Sequence, residues 1–404
     1  MNISSGPERL RLSVPASVIL FGEYQDEIGL ETIHLAGGPR LTITAIARKD
    51  RMLYLAFGSE PLRPVLDLDE IAPPTSATNK PAGTAELCRV LLQTALQDAA
   101  TRGLRLRYGC DIFLDDPLPR TLTFGRTAAL AVAWAVFLLW GAGRLTRESG
   151  LEIAALAQRL EASAMGRSCA PGRTLACALG GLLLVAQASG RDKPPPTAPL
   201  RQIESAFLLA ELAASDATHP RTSECRPATA PRPTSLRQTY TEAMNALRRY
   251  FPHFDPRMSP AEEVIPFLGD LPDRQAQTLY ALLNNRDICR KALTILSHSG
   301  VEDADVLGEL LDQHHEMLRD HLGLVSPEQE TLVHVAHAAG ALGAKANTLE
   351  GSSVLIFAPG RLDEVRAALE GCGAKIYAFD PEEGMSLESD SSLNDSEARG
   401  EKKD

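Results

Sequence analysis

Two short segments of the sequence combine residue types that could bind hydroxyl groups and phosphate. Glu23 and Asp26 lie in the segment FGEYQD. A carboxylate accepts two or more hydrogen bonds, which suits a polyol. Gly125 and Thr127 directly precede the apolar run 128–141. Backbone N–H groups at a helix N-terminus attract phosphate oxygens, and a hydroxyl such as that of Thr127 could hold magnesium. These residues therefore indicate sugar and phosphate chemistry.

The elements that must position these residues alternate between strand and helix patterns. Residues 10–20 and 40–57 are rich in β-branched and apolar residues, which predicts strands. The run 128–141 is too short to span a bilayer and predicts a buried helix. Near the end of the chain, strand patterns at 353–358 and 375–379 flank a helical one. This order of elements predicts an α+β protein with two domains.

Length and charge limit the possible partners. A chain of 404 residues exceeds what one core usually supports, so two domains are expected. The formal net charge of -11 disfavours nucleic acid and anionic membrane as partners, because both require a basic surface. The first twelve residues lack a basic start followed by an apolar run, so no secretory signal is evident. A cytoplasmic protein is therefore predicted, with neither a nucleic-acid nor a membrane partner.

Changes in composition predict the domain boundaries. Residues 1–9 form a flexible N-terminus, and 10–188 form the first domain. Residues 189–235 contain most of the proline clusters and predict a linker region with one strand. Residues 236–380 form the second domain. The tail 381–404 is rich in Ser, Asp and Glu, cannot offset its ordering entropy by burial, and is predicted to be disordered.

Four segments, in the expected order, resemble the galactokinase branch of the GHMP small-molecule kinases. Residues 14–26, VPASVILFGEYQD, are similar to the opening signature PGRVNLIGEHTD. Residues 119–130, PRTLTFGRTAAL, fall where that family has its Gly/Ser-rich phosphate loop. Residues 166–180, GRSCAPGRTLACALG, look like GVPCGIMDQ followed by a helix of small residues. Residues 285–358 resemble the C-terminal half of galactokinases. The likeness covers most of residues 10–380.

The resemblance implies a fold, an activity and a set of site residues. The fold would be a two-domain α+β fold, with an N-terminal α/β domain like that of ribosomal protein S5 and a ferredoxin-like C-terminal domain. The family activity is ATP-dependent phosphorylation of galactose or a related sugar at O1, with ATP and Mg²⁺ as cofactors. The implied site residues are, for substrate, Glu23, Tyr24, Asp26 and Tyr240; for nucleotide, Gly125, Arg126, Thr127 and Gly351; and for the metal, Thr127.

The positions of the catalytic residues depart from the family pattern. Arg173 stands where the family has its catalytic aspartate, and Ser17 stands where it has an arginine. A guanidinium stays protonated and cannot accept a proton from a sugar hydroxyl. Loss of such a base typically lowers the rate on the order of a hundred- to ten-thousand-fold. In the third, normally glycine-rich loop, Glu350 adds a negative charge that would repel a phosphate.

These departures leave three functional hypotheses open. The leading one is a pseudokinase that retains binding of a small sugar or of a protein partner. The second is an active sugar kinase whose base and cation come from other positions, and the third is a non-enzymatic interaction scaffold. Arg126 could bind phosphate or fill the space that phosphate would occupy. Likewise, Glu23 and Asp26 could bind a sugar or form a structural ion pair with Arg173 or Arg126.

Overall fold

The chain folds into two α+β domains, which confirms the predicted fold class. We obtained a computed structural model that describes residues 9–70, 84–119, 123–145, 150–166, 169–186, 195–201, 203, 206–212, 233–298, 303–349 and 352–387.

The first domain is an eight-stranded sheet covered by helices. Its strands are β1 (Arg9–Phe21), β2 (Thr32–Ala47), β3 (Met52–Phe57), β4 (Arg63–Asp67), β5 (Cys110–Asp115), β6 (Leu182–Val185) and β7 (Thr197–Pro199). The helices are α1 (Thr84–Thr101), α2 (Thr123–Gly141), α3 (Gly150–Met165) and α4 (Gly172–Leu179). The eighth strand is β12 (Ser386–Leu387), near the end of the described chain, which pairs with β1. The strand order is β12, β1, β2, β5, β3, β4. Strand β6 lies off this path and pairs with β2 and with β7. Among the strand pairings of this sheet in the described residues, only that of β3 with β5 is parallel.

Helix α2 lies at the centre of the first domain because it is apolar on every side. Its residues from 125 onward are buried, and Trp134 and Phe137 are fully so. It packs against β1 and against α1, α3 and α4. A helix without a polar face can be accommodated only inside a core or a membrane. Among the described residues, no helix is both long and apolar enough to cross a membrane.

The second domain is a four-stranded antiparallel sheet with helices packed around it. Its helices are α5 (Pro233–Tyr250), α6 (Ile265–Leu268), α7 (Asp273–His298), α8 (Ala304–Glu316), α9 (Pro327–Ala338) and α10 (Leu362–Gly371). Its strands are β8 (Phe207–Leu212), β9 (Gly343–Ala346), β10 (Ser353–Phe357) and β11 (Ala374–Ala378), in the order β11, β8, β10, β9.

The strand predicted within the region 189–235 is present as β8. This strand was expected to lie within a linker region, but it is an inner strand of the second sheet, between β10 and β11. Phe207, Leu208 and Leu209 are buried, because the strand is covered on both faces. The proline-rich segments on either side of β8 suggested a linker, and nothing in the sequence of β8 indicated which sheet it joins. A buried inner strand has no polar alternation that would indicate a sheet face.

The predicted disorder of the tail is wrong for residues 381–387. Strand β12 (Ser386–Leu387) pairs with β1, and the segment before it crosses from the second domain onto the first. Arg40 holds this segment: its guanidinium donates to the carbonyl oxygens of Glu383 (2.9 Å) and Gly384 (2.7 Å) and pairs with the Glu382 carboxylate (3.2 Å). Backbone pairing and one arginine thus order a stretch that offers little apolar surface. Residues 388–404 lie outside the described part of the chain.

We expect Arg40→Ala to release residues 381–387 and to lower the free energy of unfolding by about 1–2 kcal/mol, because several charge-assisted hydrogen bonds are lost together. A glutamate-specific protease should then cleave after Glu382 and Glu383 faster than in the unaltered protein. Arg9→Ala, which removes an exposed arginine of β1, is the matched control and should leave the cleavage rate unchanged. Equal cleavage rates in Arg40→Ala and the unaltered protein would contradict this assignment.

Candidate functional site

The carboxylate of Glu23 lies where the two domains meet. Glu23 follows β1 and is 1 % exposed. Its Oε2 accepts a hydrogen bond from Lys345 Nζ at 2.7 Å, and its Oε1 accepts from the hydroxyl of Thr348 and the backbone N–H of Leu349, both at 2.7 Å. Lys345 is 0 % exposed. The predicted sugar-binding carboxylate is therefore engaged by a buried cation and by the loop after β9.

Helix α8 fixes the strand that carries Lys345. β9 is an edge strand, and its outward backbone N–H groups need acceptors. The N–H of Ala344 donates to Asp312 Oδ1 at 2.8 Å, and the N–H of Ala346 donates to His315 Nδ1 at 3.2 Å. Asp312 and His315, three residues apart on α8, thus accept hydrogen bonds from Ala344 and Ala346, two residues apart on β9. Lys345, between them, is held in the register that directs it to Glu23.

His315 acts in this arrangement as a neutral imidazole. Burial lowers its pKa, although Glu330 opposes that effect. Because Nδ1 accepts from Ala346, the proton belongs on Nε2, which lies 2.8 Å from Glu330 Oε1. The edge of β9 is therefore closed by a side chain whose acceptor role requires it to remain unprotonated.

The turn that presents Glu23 is conformationally strained. Gly22 has φ 88° and Tyr24 has φ 70°, and Tyr24 is the only residue other than glycine with positive φ in the described part of the chain. For a bulky side chain this conformation is unfavourable by about 1–3 kcal/mol. The Tyr24 hydroxyl lies 3.2 Å from Thr348 Oγ1, so the same loop that binds Glu23 also holds Tyr24. Contacts across the domain interface keep the strained turn in place.

The two catalytic positions of the resemblance, Ser17 and Arg173, are brought together. The Ser17 hydroxyl donates to the backbone carbonyl of Arg173 at 3.3 Å and accepts from the Cys177 thiol at 3.4 Å. Ser17 is 0 % exposed and Arg173 is 5 % exposed. The buried serine thus ties β1 to α4 through the backbone of Arg173.

A buried histidine lies beside Arg173. His34 is 0 % exposed, and its Nε2 lies 2.9 Å from Thr32 Oγ1. A Cβ atom on Gly172 would collide with this imidazole, so glycine at the start of α4 makes room for it. Burial, and secondarily the positive charge of Arg173, lower the pKa of His34 to about 3. His34 is therefore neutral at ordinary pH and unsuited to proton transfer there.

In the segment 119–130, Arg126 forms a buried ion pair with Asp116. Its Nε lies 3.1 Å from Asp116 Oδ2, and its guanidinium also donates to the carbonyl of Leu118. Burial raises the pKa of Asp116, while Arg126 acts in the opposite direction. Of the two alternatives for Arg126, the structure therefore agrees with the one that needs no phosphate. Arg126 thus pairs with Asp116, and Glu23 pairs with Lys345.

The described residues of the second motif do not fit a bound nucleotide with magnesium. Gly125 is buried, and Thr127 is 0 % exposed and already has a partner within the protein. A phosphate or metal ion needs open donors and acceptors at this helix end. Gly351 and Glu350, which belong to the third loop, lie outside the described residues.

Asp26 and Tyr240 are not part of the Glu23 contact. Asp26 begins the short 3-10 helix Asp26–Ile28 and is half-buried. Tyr240 lies on α5, is 7 % exposed, and burial raises the pKa of its phenol to about 12. Tyr24, in the turn that carries Glu23, and Tyr240 belong to the same buried cluster.

Sequence reasoning missed Lys345, Thr348 and Asp116 as members of the site. For Lys345 a signal existed: it is the one charged residue in the strand Gly343–Ala346, whose other members are glycine and alanine. A charge in such a strand must find a counter-ion when the strand is buried. Nothing in the local sequence of Thr348 or Asp116 identifies their partners, which lie on other elements.

Comparisons with known proteins agree with this architecture. No protein-family model matches the sequence. A mevalonate kinase of Pyrococcus horikoshii is 25 % identical over 376 residues, covering 89 % of this chain and 92 % of that protein. The structure of Lactococcus lactis galactokinase complexed with galactose superimposes with a TM-score of 0.69 and 16 % identity, covering 95 % of this chain and 96 % of that one. Methanococcus jannaschii mevalonate kinase gives a TM-score of 0.61 and 15 % identity, covering 95 % and 99 %.

Proposed function

We propose that this chain is a galactokinase-like pseudokinase of the GHMP kinase superfamily, which binds a sugar or a protein partner and transfers no phosphate at a useful rate. The observation that carries this proposal is the contact between Ser17 and Arg173, the two residues that the resemblance assigns to the family's catalytic positions. Both are buried and bonded within the protein.

The chemistry of these two residues supports the proposal. Phosphoryl transfer depends on a group that accepts or orients the attacking hydroxyl and on cations that neutralise the developing charge. Arg173 cannot accept a proton, and Ser17 carries no charge. His34, the nearby titratable group, has its pKa lowered to about 3 and is enclosed. None of Ser17, Arg173 and His34 is therefore suited to accept a proton from a substrate hydroxyl.

The phosphate side of the cleft supports the same proposal. Kinases of this superfamily use ATP and Mg²⁺, but here Arg126 is paired with Asp116, and the N–H of Leu349 in the third loop donates to Glu23. Donors that could meet phosphate oxygens are thus satisfied by the protein's own carboxylates. Triphosphate binding would require both contacts to break, so we expect weak affinity for Mg-ATP.

We expect the double variant Arg173→Asp with Ser17→Arg to form no sugar 1-phosphate above background, because the Arg126–Asp116 pair and the altered loops remain. The measurement is a coupled ADP-release assay with galactose and Mg-ATP, run beside a thermal-shift titration with Mg-ATP. A bound nucleotide must raise the melting temperature by linkage. A clear shift in melting temperature, or magnesium-dependent release of ADP from ATP by the unaltered protein in the presence of any monosaccharide, would overturn the proposal.

A mevalonate kinase-like activity is the second candidate. It is favoured by the sequence match to the Pyrococcus horikoshii mevalonate kinase, which extends over 376 residues. The same assay with mevalonate in place of the sugar separates the two candidates. ADP release with mevalonate alone would establish the second candidate and exclude a pseudokinase.

A further inference from the structure

The described chain passes between the two domains at two places. It leaves the first domain after β7 and enters the second at β8. It returns through residues 379–387, which we call the strap, and these lead from β11 to β12 on the first sheet. Arg40 holds the strap from one side through its hydrogen bonds to the carbonyl oxygens of residues 383 and 384. The strap is therefore a second link between the domains, separate from the connection that precedes β8.

Hydrogen bonds attach the strap to both domains. The N–H of Gly181, just after α4, donates to the carbonyl of Glu382 at 2.6 Å, and the N–H of Glu382 donates to the carbonyl of Ala36 in β2 at 2.9 Å. On the other side, Asp380 Oδ1 accepts from the N–H of Phe207 in β8 at 3.1 Å. Residues two positions apart in the strap thus bind different domains.

Glycines let the strap lie directly against the backbone of the first domain. A Cβ atom on Gly384 would collide with the backbone carbonyl of Ala178 in α4, and one on Gly37 would collide with the carbonyl oxygen of Asp380. Neither Gly384 nor Gly37 is among the described glycines with positive φ. The close approach of two backbones, and not the backbone conformation, therefore requires glycine at both positions.

The strap and the Glu23 contact hold the second domain at well-separated points. The strap pairs with β1 at Ser13. Glu23 follows the end of β1 at Phe21 and binds Lys345 of the second domain. At a rise of about 3.3 Å per residue, Ser13 and Phe21 lie about 25 Å apart. A hinge motion that opened the domains at Glu23 would therefore have to turn the strap against the backbone that it contacts.

We propose that the strap is a staple that fixes the angle between the two domains and keeps the interface at Glu23 closed. Interfaces between domains of one chain generally permit relative motion unless they are large and hydrophobic. Proteins that open and close do so at hinge residues that absorb changes in φ and ψ. The strap is instead fixed by backbone hydrogen bonds, by Arg40 and by close glycine contacts with β2 and α4. This inference goes beyond the proposed function, because it concerns domain motion and not phosphate transfer.

The test is amide hydrogen exchange of the full-length variant Gly384→Ala, followed by mass spectrometry. The added methyl group displaces the strap from α4, where it would collide with the backbone. The N–H of Leu349 donates to Glu23 across the domain interface. We expect this N–H to exchange about tenfold faster in the variant, because opening of the domains costs less free energy without the staple. Strand β10, inside the second domain, should keep its protection. Gly37→Ala displaces the strap at Asp380 and should have the same effect.

Gly269→Ala is the matched control. Gly269 ends the short helix α6 with φ -66°, and a Cβ atom there meets nothing within 4 Å. Exchange at Leu349 should be the same in this variant as in the unaltered protein. Unchanged exchange at Leu349 in both strap variants would overturn the inference, since the strap would then be a bound tail without control over the domains. Equally accelerated exchange in β10 would also overturn it, because the variants would then loosen the second domain itself.

Discussion

Replacing Lys345 by methionine is expected to lower the free energy of unfolding by about 3–5 kcal/mol, the usual cost of leaving one member of a buried ion pair alone. Lys345 and Glu23 are 0 % and 1 % exposed, and their charged atoms are 2.7 Å apart. Without the ammonium, the Glu23 carboxylate keeps only the donors of Thr348 and Leu349. The measurement is urea denaturation of the purified variant against the unaltered protein.

The double variant Glu23→Gln with Lys345→Met tests whether the loss comes from the stranded charge. It removes both charges, so it should be more stable than Lys345→Met alone. Arg102→Met is the matched control, because Arg102 forms an exposed i,i+4 pair with Asp98; such pairs contribute about 0.3–0.5 kcal/mol. If Lys345→Met and Arg102→Met had equal effects, the domain interface would not depend on the Glu23–Lys345 pair.

Acidification is expected to destabilise this protein through His34. Its pKa is lowered from 6.5 to about 3 in the folded state, so the unfolded chain binds the proton first. The stabilisation that neutral His34 contributes is therefore fully present above pH 6.5, and it decreases as the pH falls toward the pKa of His34 in the folded state. The loss is about 1.4 kcal/mol for each pH unit, hence about 3 kcal/mol near pH 4. His34→Gln should lack this part of the pH dependence in urea denaturation series.

His337 provides a comparison of opposite sign. Its pKa is raised, chiefly by a hydrogen bond with Asp312, so it contributes stability below pH 6.5 that disappears as the pH rises through the folded value. His337→Gln should therefore lower the stability below pH 6.5 and leave its pH slope there unchanged, whereas His34→Gln should reduce that slope. The same pH slope in both variants would contradict the assignment of the acid sensitivity to buried His34.

The Glu23 contact has a direct consequence for function. In a nucleotide-binding loop, backbone N–H groups are left open for phosphate. Here the N–H of Leu349 and the ammonium of Lys345 already bind a carboxylate of the same chain. The strained turn at Tyr24 is maintained by this contact. A ligand anion would have to displace Glu23, which is the physical reason for the weak nucleotide affinity that we expect.

The sequence by itself determined the architecture and the residue types at the two positions that the resemblance assigns to catalysis. Strand β1, the apolar helix α2 and the final β-α-β unit follow from hydrophobic patterns that are local, since each element needs only one continuous segment to be recognised. The chemistry of Arg173 and Ser17 also follows from residue type alone, because no environment in a protein makes a guanidinium a base.

Only the tertiary structure determined which charged residues form ion pairs with each other. Glu23 and Lys345 are 322 residues apart in the chain, and Arg40 is 342 residues from Glu382. Such pairs depend on how separate elements dock, and no local pattern records that geometry. The same holds for Asn285, which a helical pattern cannot distinguish from an exposed asparagine. Burial and partner choice are properties of the packed molecule, because an ionic or hydrogen-bond contact acts over a few ångströms in space, whatever the separation along the chain.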